Sequence, residues 1–248
     1  MMNYSYTYLF ALLFLFISCG DDVIEEPDES LYGYSYFPIE VGYTWEYQVD
    51  SVLIVQGGDA NIISSSFIQE RVSELISEQS GEKKFKLERS SKKEKADAWR
   101  TQVVWQVSIS SDMATKTEDN LRFIKLVFPA VKGKKWDGNA FFDSDKEVSI
   151  GGNNISVYQD WNYKIEEVNV SKTVNDITYP NSLVVSHIDE ESLISKRFSE
   201  ELYVDGIGLV ERNMQIFDSQ KSDTSVSWLE RAEEGFQLSQ KLITFSTN

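Results

Sequence analysis

The sequence predicts an all-β fold, an antiparallel sandwich or a curved half-barrel made of two similar halves, with one short C-terminal helix. Three observations carry that prediction. Apolar and polar residues alternate in many short runs, as where Trp45, Tyr47 and Val49 interleave with Glu46, Gln48 and Asp50. This period of two is that of a strand with one buried face. Turn-forming clusters separate the runs, at Gly57-Gly58, Ser80-Gly81, Gly151-Gly152-Asn153-Asn154, Tyr179-Pro180-Asn181 and Asp205-Gly206, and short strands at such spacing form antiparallel sheets. Finally, FPIEVGYTW at 37–45 returns as FPAVKGKKW at 128–136, with Phe, Pro, Gly and Trp each repeated at an offset of 91.

From the N-terminus, residues 9–17, LFALLFLFI, form an unbroken apolar run that ends at Ser18-Cys19-Gly20. It is shorter than the roughly 20 residues a membrane-spanning helix needs and matches the apolar core of an export signal. Cys19 is the only cysteine of the chain. A small residue and then cysteine at the end of such a run resembles the lipobox of bacterial lipoproteins, although Phe16 stands where Leu is usual. The resemblance implies cleavage after residue 18 by signal peptidase II and a lipid on Cys19. Residues 19–31 then read as an acidic tether, since six of the eleven residues in GDDVIEEPDES are acidic and Pro27 interrupts them; repulsion keeps such a segment extended. An acidic stretch placed there also resembles the surface-export signal of lipoproteins in the Bacteroidota.

A single β-rich domain is expected over 32–248. Tyr32, Tyr34 and Tyr36 alternate in LYGYSYF and read as an edge strand of the core or as an exposed aromatic strip for sugar stacking. Alternation continues through Phe85 and Leu87, through Trp99 to Ile109, and through Trp161, Tyr163 and Ile165. A one-residue slip at Glu166-Glu167 marks a bulge. Ile68, Val72, Leu75 and Ile76 fit helical spacing, but the Val and Ile content and the missing cap favour a strand. Trp228 to Glu234 reads as the helix, with Gly235 as its C-cap, and Phe236 to Phe245 as a last strand closing the sheet.

The repeated nonapeptide reads as a folding device. Proline extends the residue before it, the glycine four residues on can take positive φ, and tryptophan opens a strand with a large anchor. Trp45 shares parity with Tyr47 and Val49 and should face the core. Weaker echoes match Phe67, Glu70 and Val72 to Tyr163, Glu166 and Val168 at an offset of 96. The halves are placed at about 37–127 and 128–218, packed together, with a closing segment at 219–248.

A formal charge of -16 disfavours sequence-independent binding of nucleic acid. The cationic stretch from Lys83 to Arg100 is interleaved with Glu82, Glu88, Glu94 and Asp97 and reads as a solvated hairpin. His187, the only histidine, alternates with Leu183 and Val185 and reads as a packed residue rather than a general base. Metal sites built on several His or Cys are excluded by count. One oxygen-rich loop, Asp137, Asn139, Asp143, Asp145 and Glu147, is a weak calcium candidate without EF-hand spacing. No cofactor is expected.

YFPIEVGYTWEY, GIGLVER and EEGFQLSQKLITF together resemble uncharacterised lipoproteins of the Bacteroidota. That resemblance implies a lipid-anchored outer-membrane protein, on the periplasmic or the cell-surface face. It carries no activity. The expected role is non-catalytic, structural or ligand-binding, with a glycan or an envelope protein as partner. The rivals are a glycan-binding module with a row of exposed aromatic rings, a hydrophobic-ligand carrier with an apolar cavity, and an enzyme built around His187.

Overall fold

The structure, a computed structural model, describes residues 29–55, 61–221 and 223–247. Cys19 and most of the acidic tether lie outside the described residues. The first nonapeptide leads into six consecutive antiparallel strands: β1 (Thr44–Ile54), β2 (Asn61–Gln79), β3 (Glu82–Lys92), β4 (Arg100–Ile109), β5 (Met113–Glu118) and β6 (Leu121–Val127). The second leads into β7 (Lys135–Trp136), then a separate hairpin of β8 (Val148–Ile150) and β9 (Asn153–Ile155), then β10 (Tyr163–Val174), β11 (Ile177–Glu191), β12 (Ser195–Val204), β13 (Gly208–Asp218) and β14 (Glu234–Ser246).

Twelve of these form one sheet in the order β6-β5-β4-β3-β2-β1-β14-β13-β12-β11-β10-β7. Apart from the β8–β9 excursion every sheet neighbour is a sequence neighbour, except where β14 returns to β1. The outer strands then meet. Ile124 N of β6 donates to Gly138 O, just past β7, at 2.8 Å, and Trp136 Nε1 donates to Ile124 O at 2.8 Å. Of the two predicted forms the sheet is therefore the curved one, curled beyond a half-barrel into a nearly closed barrel.

The repeated motif is built the same way twice. Gly42 (φ 101°) donates to Val72 O at 2.8 Å, and Val72 N donates to Tyr43 O at 2.9 Å. Gly133 (φ 85°) donates to Ile165 O at 2.7 Å, and Ile165 N donates to Lys134 O at 3.0 Å. Each glycine needs the left-handed region to turn its N–H onto the next strand. The equivalent strand residues, Val72 and Ile165, are 93 apart, so the echo at 96 is not the structural one. One feature differs between the copies: Phe128-Pro129 is cis.

Three local expectations are corrected. Tyr32, Tyr34 and Tyr36 lie in two short 3₁₀ helices, Glu29–Tyr32 and Tyr34–Tyr36, because Gly33 at φ 79° breaks any strand between them. The C-terminal helix α1 is confined to Trp228–Arg231, started by Glu230, whose carboxylate accepts from Ser227 N at 2.9 Å. Gly235 does not cap it. That residue sits inside β14 at φ 117°, where an added Cβ would lie 1.9 Å from Ile216 O, so close approach of two strands requires it. The closing segment supplies β14, the strand between β1 and β13.

Candidate functional site

Strand parity puts Trp45, Tyr47 and Val49 inside, all buried. The same rule puts charge inside. Glu70 shares parity with buried Ile68 and Val72, Glu201 with buried Ser199 and Tyr203, and Arg212 with buried Met214 and Ile216. Isolated, each would lose several kcal/mol of hydration. They are not isolated.

A chain of alternating sign crosses the barrel. Arg89 donates to Glu70 at 2.6 Å, and Lys116 donates to both Glu70 oxygens at 2.9 and 2.8 Å. Lys116 also lies 3.5 Å from Glu118, which accepts two bonds from the Arg212 guanidinium at 3.1 and 3.0 Å. Arg212 Nε donates to Glu201 Oε1 at 2.6 Å, and Lys125 Nζ donates to the same oxygen at 2.5 Å. Tyr203 OH takes the other Glu201 oxygen at 2.6 Å. The side chains of Glu201, Lys125, Glu70 and Lys116 are 0, 5, 5 and 8% exposed, while Arg89 at 20% forms the rim. Two of these pairs, Lys125–Glu201 and Arg212–Glu118, join the strands that follow the first nonapeptide to those that follow the second.

Lys125 and, beside the chain, His187 each stand at a bulge. The β5–β6 ladder pairs Ala114 with Leu126 and Thr115 with Ile124, leaving Lys125 as the extra residue. The β11–β12 ladder pairs Ser186 with Glu200 and Ile188 with Ser199, leaving His187 as the extra one. An extra residue breaks the alternation and re-aims its side chain. Thus Lys125 can be buried although Ile124 and Leu126 on either side of it are buried too.

His187 is 1% exposed, which agrees with a packed role. It stacks on Trp161 at 5.1 Å and 16° and lies 4.3 Å from the Tyr163 ring. Nδ1 pairs with Ser199 Oγ at 2.8 Å, whereas Nε2 lies 3.4 Å from Glu201 without the alignment of a hydrogen bond. Burial pushes the imidazole below its ordinary value, against the pull of Glu201, so it is neutral. Burial alone would raise the carboxyls of Glu201 and Glu118, but Lys125 and Arg212 around the first, and Arg212 and Lys116 around the second, hold both well below the carboxylate range. Burial, reinforced by Arg212, lowers the Lys125 ammonium.

Two cavities flank the chain. One, of about 50 Å³, lies between the ion pairs and the apolar side chains of Phe37, Trp45, Leu87 and Leu209. The other, of about 30 Å³, is lined by Lys125, Trp161, His187, Glu201 and Arg212. Lys125 borders both.

The oxygen-rich loop is spread out. Asn139 is buried and ties Tyr158 O to Tyr163 OH, both at 3.1 Å. Asp137 and Asp143 accept from backbone N–H groups two residues on, and with Asp145 and Glu147 they are exposed. Among the described residues no three His, Cys, Asp or Glu side chains are grouped to hold a metal. Tyr36 is buried and donates to Asn169 at 2.6 Å, while the Tyr32 and Tyr34 rings stack on each other at 5.5 Å. The sequence did not mark Lys116, Glu118, Lys125, Glu201 or Arg212, and marked Glu70 only as part of a repeat. The signal was charge at core parity in FIQERV, FSEELYV and VERNMQIF.

No family model matches the chain, and no curated protein matches it. Among solved structures it is similar to a "putative lipoprotein from Parabacteroides distasonis ATCC 8503", with 11% identity and a TM-score of 0.39 over 85% of this chain and 98% of that one.

Proposed function

We propose that this is a lipid-anchored, non-catalytic lipoprotein of the outer membrane, in which Cys19 carries the lipid and the barrel is a closed scaffold. The observation that carries the reading is the filled interior. The two cavities beside the ion chain, about 50 and 30 Å³, are far below the roughly 300–1,000 Å³ of small-molecule pockets, and charged side chains line both. A carrier of apolar ligands needs the opposite. The outward face fits attachment to a membrane rather than insertion in it, since Arg71, Lys84, Lys86 and Glu88 point away from the core, where a membrane barrel would be apolar. The non-catalytic reading is supported by the neutral, buried state of His187 and by the pairing of Glu70, Glu118 and Glu201, the carboxylates of the interior chain among the described residues. Partners then meet the exterior.

Palmitate labelling of cells making the wild type or Cys19→Ala tests the anchor. Label in the wild type alone is expected, and equal label in both would overturn it.

A further inference from the structure

β2 has an edge that nothing covers. It pairs with β1 from Asn61 to Arg71, whereas β3 joins its other side only from Phe67 onward, beginning opposite Lys92. Along 61–66 every second residue therefore turns its backbone N–H and C=O away from β1, and among the described residues no hydrogen bond is made on that side. The side chains agree. Residues 61–65 are all exposed, and Ile63, at 80%, is the most exposed large apolar side chain among the described residues.

Open strand edges are ordinarily blunted by a charge, a proline or a bulge, because they template pairing with another chain. The other interrupted ladder follows that rule: β5 covers β4 only from Gln106 onward, and the uncovered part begins with the exposed Arg100. The run NIISSS at 61–66 has no charge and no proline, and its ladder to β1 has no bulge. In a chain of formal charge -16, such a neutral edge is where a second copy can approach without repulsion.

We propose that this edge pairs with the same edge of a second copy, antiparallel and about a two-fold axis, so that the sheet of one barrel continues into the next. A two-fold normal to an antiparallel ladder passes between a residue and its own copy. Centred on Ile63, it sets Ile63 against Ile63, Ile62 against Ser64 and Asn61 against Ser65. This register stays clear of Phe67, whose edge β3 already holds. Ile63 is opposite Val52, so its burial extends the apolar group that Val52 forms with Trp228 and Leu229. A ladder this short falls below the roughly 1,200–2,000 Å² of a stable interface, and the pairing is therefore reversible. It goes beyond the scaffold reading and is independent of the lipid on Cys19.

The test uses the full chain in mild detergent with Cys19→Ala, which takes the lipid out of the comparison and makes any introduced cysteine the only one. Native mass spectrometry should show a dimer that grows with protein concentration, and amide exchange over 61–65 should slow as it forms. Ile63→Lys sets like charges face to face across the axis and should stay monomeric at the same concentration. The fold is kept, because that side chain is exposed. Mild oxidation should trap Ile63→Cys as a disulfide dimer faster than Thr101→Cys on the open edge of β4. A chain that is monomeric at every concentration, a dimer untouched by Ile63→Lys, or cross-linking at 101 in preference to 63 would overturn the pairing.

Discussion

A carboxylate with no exposed side-chain surface, Glu201, accepts from Lys125, Arg212 and Tyr203 at once. Such a group is held by geometry, since a buried ion pair with one partner missing is destabilised by about 3–5 kcal/mol. The neighbouring His187 supplies a readable consequence. Burial, with lesser contributions from Lys125 and Arg212, outweighs the attraction of Glu201 and lowers its pKa from 6.5 in the folded chain. Between that lowered value and 6.5 the unfolded chain binds a proton that the folded chain does not, so stability falls as pH drops through this window. Above 6.5 the contribution is complete. The urea midpoint of the wild type should therefore fall between pH 7 and pH 5.5, and His187→Gln, which does not titrate, should show a smaller fall. Identical pH profiles would contradict the neutral, buried imidazole. This histidine was legible as a packed residue from its alternation with Leu183 and Val185. Its companions were not, because a glutamate at core parity reads as an exception until the opposite strand supplies the cation.

At the scale of elements the barrel has one strong closure and one weak one. β14 pairs with β1 over the whole length of β1, from Thr44–Ser246 to Ile54–Gly235. β6 is joined to the β7 side through Ile124, whose N–H meets Gly138 and whose carbonyl takes the Trp136 indole. The approach is tight, since a Cβ on Gly138 would lie 2.3 Å from the Tyr163 ring. Amide exchange should be faster at Ile124 than at Tyr47 or Val49 of β1, as local opening begins where few bonds must break. Trp136→Phe should lower stability by about 1 kcal/mol, the net value of one hydrogen bond, and raise exchange at Ile124 further. Uniform protection across both closures would refute a weak seam. Strands were legible wherever one face is buried, as in β1, β3 and β4. Two hairpins escaped the glycine and proline signals because Asp119-Asn120 and Asn175-Asp176 make the turns themselves at positive φ. The bulges at Lys125 and His187 were hidden for a different reason. A bulge is a property of two strands in register, and a single strand does not show it.

Over the whole molecule, similar motifs begin two runs that each give six strands to the main sheet, and interior ion pairs tie the runs together. The repeat in the sequence pointed to a folding device, and in the structure each copy turns a glycine onto the following strand and seats a tryptophan whose indole N–H is bonded, to Ile207 O at 2.6 Å and Ile124 O at 2.8 Å. Curvature was legible only as an alternative to a sandwich, since closure depends on how strands twist and stagger and not on which face each buries. The proposed protein is a lipid-anchored scaffold with a filled barrel. Native mass spectrometry of the full-length chain, extracted from the envelope in mild detergent and then denatured, tests both parts at once. The expected product is a chain that begins at Cys19, bears covalent lipid there and releases no apolar ligand on unfolding. An unprocessed or unlipidated chain, or a stoichiometric lipid released from the barrel, would contradict it.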